Sequence, residues 1–379
     1  MNLEELLEQI KSILIPLAHF WEKLKIYYFE LPFEEFSMQL IVITIFILFA
    51  FTIILAVTVL ILRVKNMIKA YRFRKMESSW EKALIRAVMF GDEADSEEII
   101  VKRRNRFFYV QYLYQFAQRL QGKELEKVQA LAEPYLDVVV KGLKGNYPEL
   151  RARNINILGT FGFPNYIDTM KEALRDKSPI VTMTAARALA RPGYPEHCKV
   201  ILPVLGMFDQ WSMNFLSSML AEMGSEACPD LREAMSNPEN SMRVRISCAE
   251  ALRSIGDLEA ANIAVDLLAL NEEAEFQAAL LRLLKEVGVS RHRTVALALI
   301  NSPHFIVRAH ALSVLGQIGN KEDGELIQAG LEDESSWVVL HAARTLKKLH
   351  RNDLLEPASQ SEHRMAPLVR QVLSEGVAN

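Results

Sequence analysis

Val244–Asp257 reads VRISCAEALRSIGD, and further along Val307–Asn320 reads VRAHALSVLGQIGN. Each begins valine–arginine, runs through small and apolar residues, and closes on a leucine followed four positions later by a glycine. That leucine recurs through the last two-thirds of the chain, at Leu158, Leu189, Leu220, Leu252, Leu284, Leu315 and Leu346, in steps of 31, 31, 32, 32, 31 and 31 residues. The glycine recurs with it, at Gly162, Gly193, Gly224, Gly256, Gly288 and Gly319, and only the seventh copy departs, with His350 in its place. A period this constant marks one supersecondary unit stacked on copies of itself, because no single copy can bury its own apolar face.

The pattern inside the unit is that of a helical hairpin. Seven and eight residues before the glycine the chain is mostly small or apolar, as in Ala185-Ala186, Cys248-Ala249 and Ala342-Ala343. Small side chains at one level let neighbouring helices approach, and the leucine one turn on fills the seam. The glycine is expected to end the first helix at a positive φ. A second helix follows, as in DLEAANIAVDLL from Asp257, and turn residues such as Lys177-Ser178-Pro179 and Ser302-Pro303 precede several first helices.

These segments resemble the HEAT repeat, and in particular its short variant of about 31 residues named after phycobilisome lyases, written D-x-x-x-x-V-R-x-x-A-A-x-A-L-x-x-I-G. The resemblance covers residues 143–355 and implies an all-α fold, an α-solenoid of about seven HEAT-like hairpins. In that family the arginine after the valine hydrogen-bonds within the stack. Arg151, Arg245 and Arg308 hold that position, so the resemblance implies a structural role for them.

Hydrophobic residues make up 50% of the 379 positions, and the excess is concentrated in residues 39–62, QLIVITIFILFAFTIILAVTVLIL, where no charge occurs. At 1.5 Å per residue these 24 residues reach about 36 Å, enough for a hydrocarbon core of about 30 Å, so they read as a transmembrane helix contacting the lipid bilayer. The stretch starts too far along the chain and is too long for a signal peptide. Residues 63–75 carry Arg63, Lys65, Lys69, Arg72, Arg74 and Lys75 and no acid, whereas residues 1–38 carry three lysines against seven glutamates. The positive-inside rule therefore places the repeats in the cytoplasm and the N-terminus outside, with a single-pass protein of a bacterial inner membrane as the expectation. Residues 1–38 read as an extracytoplasmic amphipathic and aromatic segment, 76–142 as a helical capping region, and 356–379 as a C-terminal tail in which Ala366–Ser374 forms a short closing helix.

Little in the chain points to chemistry. There is no glycine-rich phosphate loop, no HExxH and no GxSxG. None of the eight histidines lies three or four residues from another histidine or a cysteine, and Cys198, Cys228 and Cys248 have no CxxC spacing, so no metal and no cofactor is expected. A net charge of −3 gives no reason to expect a nucleic-acid partner. The basic and aromatic run Lys102–Phe116 spaces its rings for packing within the capping region. The partner-binding candidates are Trp21, Trp211 and Trp337, tryptophan being the residue most enriched at binding hot spots.

The expected function is that of a non-catalytic, membrane-anchored scaffold whose solenoid binds a protein. Single-span HEAT-repeat proteins of bacteria resemble accessory subunits of envelope machinery, which implies an integral membrane partner such as a glycosyltransferase that makes surface polysaccharide. A transmembrane signalling role is the first alternative, set back by an exterior of 38 residues, too small for an ordinary sensor domain. A chromophore-handling role like that of bilin lyases is the second, and no cluster suited to a chromophore accompanies it.

Overall fold

A computed structural model describes residues 19, 22–23, 36–90, 101–161, 164–207, 211–270 and 273–375. Trp21 and Gly162, and nearly all of residues 1–38, lie outside the described residues. Every described element is a helix, and the chain divides into two units, Met1–Ala83 and Leu84–Asn379.

The first unit is carried by α1, Phe36–Phe90. Its stretch Ile41–Ile68 is long and apolar enough to cross a membrane, and none of it is buried against protein. Ile45, Leu48, Phe51 and Ile54 are each about 60% exposed. The two hydroxyls in its middle are satisfied within the helix itself. Thr52 Oγ1 donates to the Leu48 carbonyl at 2.8 Å and Thr58 Oγ1 to that of Ile54 at 2.7 Å. These two hydroxyls thus need no partner from outside the helix.

The second unit is an α-solenoid. It opens with three helices, α2 (Arg106–Ala117), α3 (Gly122–Ala132) and α4 (Asp137–Gly142). Tyr109, Val110, Tyr112 and Leu113 of α2 are buried, so the aromatic run serves packing here. Seven hairpins follow. Their first helices are α5 (Pro148–Phe161), α7 (Pro179–Leu189), α9 (Met213–Ala221), α11 (Met242–Ile255), α13 (Ala274–Val287), α15 (Phe305–Ile318) and α17 (Ser336–Lys348). The second helices are shorter: α6 (Ile167–Ala173), α8 (Cys198–Leu205), α10 (Cys228–Ser236), α12 (Ala260–Leu270), α14 (Arg293–Leu299), α16 (Gly324–Gln328) and α18 (Asn352–Gln360). A last helix, α19 (Ala366–Ser374), packs on α17 and α18. Leu355, Val369 and Val372 belong to the same continuous core as the repeats, so the core runs past residue 355 into the segment read from sequence as a tail.

Local chemistry explains the starts of the first helices. Ser212 and Ser241 cap α9 and α11, accepting from the Phe215 and Val244 amides, while Pro148 and Pro179 open α5 and α7, where a missing N–H costs nothing. All seven repeat leucines are buried, and so are Ala185, Ala186, Cys248, Ala249, Ala342 and Ala343. Close approach is tightest where α5 meets α7. A β-carbon on Gly159 would lie 2.6 Å from that of Ala188, so only glycine lets these two helices come so near.

The glycines that end the first helices serve two purposes, where one was expected. Gly193, Gly224 and Gly256 do take positive φ, near +82°. Gly288 and Gly319 do not, with φ of −71° and −76°. There the constraint is space, because a β-carbon would run into the backbone carbonyl of Leu284 or Leu315. His350, the apparent exception, adopts φ 57°. Its amide donates to the Lys347 carbonyl and the Arg351 amide to that of Leu346, which is the Schellman pairing that Gly256 and Asp257 make at the end of α11.

One step in the row of first helices differs. The pairs α5–α7, α9–α11, α11–α13, α13–α15 and α15–α17 lie along each other, but α7 and α9 do not. These are the two shortest first helices. Pro192 disfavours helical backbone at Arg191, and α7 stops at Leu189.

Candidate partner-binding site

The position of the first-helix arginine is filled in three copies, and in each the charge is used inside the stack. Arg151 grips Asp176 of the next copy with two parallel hydrogen bonds, Nε to Oδ2 at 2.9 Å and Nη2 to Oδ1 at 2.8 Å. Arg308 grips Asp333 in the same way, at 2.7 and 2.9 Å. Each aspartate also accepts from the amide two residues on, Ser178 or Ser335, so one carboxylate joins two repeats and turns the chain into the next first helix. The Arg151 hydrogen bonds hold the Asp176 carboxyl below the usual carboxylate range. At Asp333 burial pushes upward, and the Arg308 and Ser335 hydrogen bonds outweigh it. Twenty-five residues after Arg245 the chain has Leu270 and no acid. Arg245 is buried all the same. Its Nε donates to the Met235 carbonyl at 2.9 Å and its guanidinium lies 4.3 Å from the centre of the Phe276 ring.

The two described tryptophan candidates, Trp211 and Trp337, start equivalent first helices yet differ in surroundings. Trp211 packs against the core, its ring 5.1 Å from that of Phe215. Trp337 is 50% exposed and meets His341 edge-on at 5.3 Å. Of the tryptophan candidates described, Trp337 is therefore the one available to a partner, and Phe305 nearby in the fold order, on α15, is 53% exposed.

Trp337 also ends a polar chain that crosses four first helices. Glu250 on α11 accepts from Arg253 at 2.7 Å and from Arg282 on α13 at 2.5 Å. Arg282 Nη1 lies 3.3 Å from His310 Nε2 on α15, and the His310 ring lies 6.3 Å from that of His341 on α17. Burial, then the Arg282 charge and His341, lowers the His310 imidazole to about 4. Burial and the charges of Lys285 and Arg344 lower His341 as well. His310 is therefore neutral near pH 7, and its Nε2 can accept a hydrogen bond from Arg282 Nη1. Spacings of three and four within one helix miss this pair. The signal is the repeat itself, since His310 and His341 stand one period apart.

The remaining reactive side chains are inert or dispersed. Cys198, Cys228 and Cys248 are buried and free, and burial raises all three thiols, that of Cys198 to about 12. A thiol held protonated is a poor nucleophile. Among the described residues no group of three or more histidine, cysteine, aspartate or glutamate side chains is placed to hold a metal ion.

The family of HEAT repeats matches this chain over residues 136–209, 264–347 and 293–374. No curated protein matches it. Among solved structures it is similar to Kap121p bound to Ste12p, with 13% identity over 80% of this chain and 45% of that chain and a TM-score of 0.38. The karyopherin Kap121p bound to the SUMO protease Ulp1p gives 13% identity, 79% and 45% coverage and a TM-score of 0.38. Kap121p bound to Pho4p gives 13%, 79% and 45%, with a TM-score of 0.37. The chain thus spans less than half the length of these structures.

Proposed function

We propose that this HEAT-repeat solenoid is a membrane-anchored, non-catalytic scaffold that binds a protein partner at the inner face of a bacterial cytoplasmic membrane. The observation that carries this reading is the exposure of Ile41–Ile68. Leaving so much apolar surface in water is far outside what soluble proteins tolerate. The basic residues from Arg63 to Lys75, at the C-terminal end of that stretch and just beyond, favour a cytoplasmic solenoid. The repeats supply the binding surface, because a stack of this kind presents a long continuous face and needs no reactive group. Anchoring confines that face to partners in or beside the membrane, and the raised effective concentration lets modest contacts suffice. An integral membrane glycosyltransferase of envelope polysaccharide synthesis is the partner class we favour, on the resemblance to single-span accessory subunits.

The test is mild detergent extraction of the tagged full-length protein followed by identification of what co-purifies. A stoichiometric integral membrane protein is the expected result, and a lone monomer would count against the scaffold. Epitope tags at the two ends, probed in intact and in opened cells, check orientation. The N-terminal tag is expected to react from outside and the C-terminal tag only after opening.

A further inference from the structure

We propose that the cleft left by the wide step between α7 and α9 binds the phosphoryl group of a small phosphate ester. The cleft has a volume of about 300 Å³, at the lower edge of small-molecule sites, and too polar a lining for an apolar ligand. Its floor is Ala188, at the point where Gly159 admits α7 against α5, and its walls are polar side chains from α2, α5, α7 and the turn after α9.

The cleft holds more donors than acceptors. Gln118 Nε2 and Asn156 Nδ2 both donate to Tyr114 Oη, at 2.7 and 2.8 Å. A phenol has two acceptor sites and one proton, so with both acceptor sites taken the Tyr114 O–H has only its proton left to offer. Arg191 is partly buried, and its guanidinium makes no hydrogen bond or ion pair with any described residue although it stands over the cleft floor. Burial lowers its affinity for its proton, and Tyr194 and then Glu222 only partly offset this. Arg187 adds a second guanidinium at the rim, 5.9 Å from the centre of the Phe215 ring. Arg151, Arg245, Arg282 and Arg308 instead spend their charge on a carboxylate, a carbonyl or a ring.

Two guanidinium groups, one on α7 and one just past its end, and a phenol O–H from α2 face the same cleft. That suits a tetrahedral phosphoryl group, which has oxygens facing each of them, better than a planar carboxylate. The volume exceeds that of a bare phosphate. Glu222 is then placed to accept from a hydroxyl on the rest of the ligand. The ester could arrive as a free metabolite or as a lipid headgroup, since both present the same phosphoryl chemistry.

Isothermal titration of the full-length protein in detergent with inorganic phosphate, glycerol 3-phosphate and glycerol tests the proposal. Sedimentation with phosphatidylcholine vesicles, with and without phosphatidic acid, tests the lipid source. Arg191→Gln and Tyr114→Phe are the diagnostic variants, the second removing a single oxygen atom, and Arg153→Gln on the exposed side of α5 is the control. Saturable binding of glycerol 3-phosphate, absent with glycerol and about tenfold weaker in either diagnostic variant, supports a free ester. Variant-sensitive binding to phosphatidic acid vesicles alone supports a headgroup. No saturable binding in either format, or binding that Arg191→Gln and Tyr114→Phe leave unchanged, overturns it.

Discussion

Arg308 and Asp333 lie 25 residues apart in sequence and meet through two parallel hydrogen bonds, in the geometry that Arg151 and Asp176 adopt five repeats earlier. The repeated spacing makes the bridge a property of the period. An arginine on one first helix reaches the aspartate that opens the next, and the side chains of both are mostly shielded from water. Such bidentate pairs are worth more than surface ion pairs, because holding them costs little further desolvation.

Asp333→Ala is accordingly expected to destabilise the solenoid by about 2–3 kcal/mol, since it removes the acceptor from Arg308 and the amide cap from Ser335 together. The midpoint of urea unfolding, followed by circular dichroism, measures it. A loss no greater than that of an exposed substitution such as Glu334→Ala would mean the bridge is ornamental.

Acid should unfold the protein in two stages. His310 has its folded value lowered to about 4, so above the ordinary histidine value near 6.5 it is neutral in both states and carries no penalty. As the pH falls from about 6.5 to 4 the unfolded chain takes up a proton that the folded chain refuses, and stability drops. Asp176 and Asp333 act lower. Their folded values are depressed, so their contribution is intact above about 4 and is lost as the pH falls through the lowered range. Melting temperatures across pH 7 to 3 are expected to show the upper stage reduced in His310→Gln and the lower stage reduced in Asp333→Asn. A single stage unaffected by His310→Gln would remove histidine from the account.

The period, the leucine seam and the small-residue level were all legible in sequence, because each follows from packing one helix on its own copy. The 25-residue arginine–aspartate bridge follows from the same repeat. Other features depend on context that a single copy does not contain. Gly288 and Gly319 carry the same letter as Gly256 but answer to a neighbouring carbonyl and not to a left-handed backbone. The pairing of His310 with His341 needs two turns of the stack to appear. The cleft beside Arg191 arises where two shortened helices happen to be adjacent, and its sequence trace is the Pro192 that halts α7. Trp211 and Trp337 are equivalent by phase, and only their three-dimensional neighbours separate them.

That separation can be measured. Trp211→Ala empties space against the core and is expected to cost about 3 kcal/mol, the low end for a core aromatic because the ring is only partly buried. Trp337→Ala removes a half-exposed ring and is expected to cost under about 1 kcal/mol while lowering recovery of the co-purifying partner. Equal destabilisation by both substitutions would show that Trp337 is structural, and unchanged partner recovery would take it out of the interface.

His350→Gly is expected to stabilise the protein, which is unusual for a substitution to glycine. At φ 57° the His350 side chain crowds its own backbone, a strain of about 1–2 kcal/mol for a residue with a β-carbon. Glycine removes that strain and adds about 0.5–1 kcal/mol of unfolded-state entropy, so the two effects partly offset and the net gain is at most about 1.5 kcal/mol. The imidazole is exposed, so its removal forfeits no packing, and the hydrogen bonds that close α17 come from the backbone and survive. Gly256→Ala supplies the mirror experiment. It introduces at α11 the strain that His350 already bears at α17, and it should cost about 1–2 kcal/mol with nothing else in contact. Urea unfolding of the two variants beside the parent decides the matter. If His350→Gly destabilises while Gly256→Ala does too, the left-handed backbone at residue 350 is not the strained element argued here.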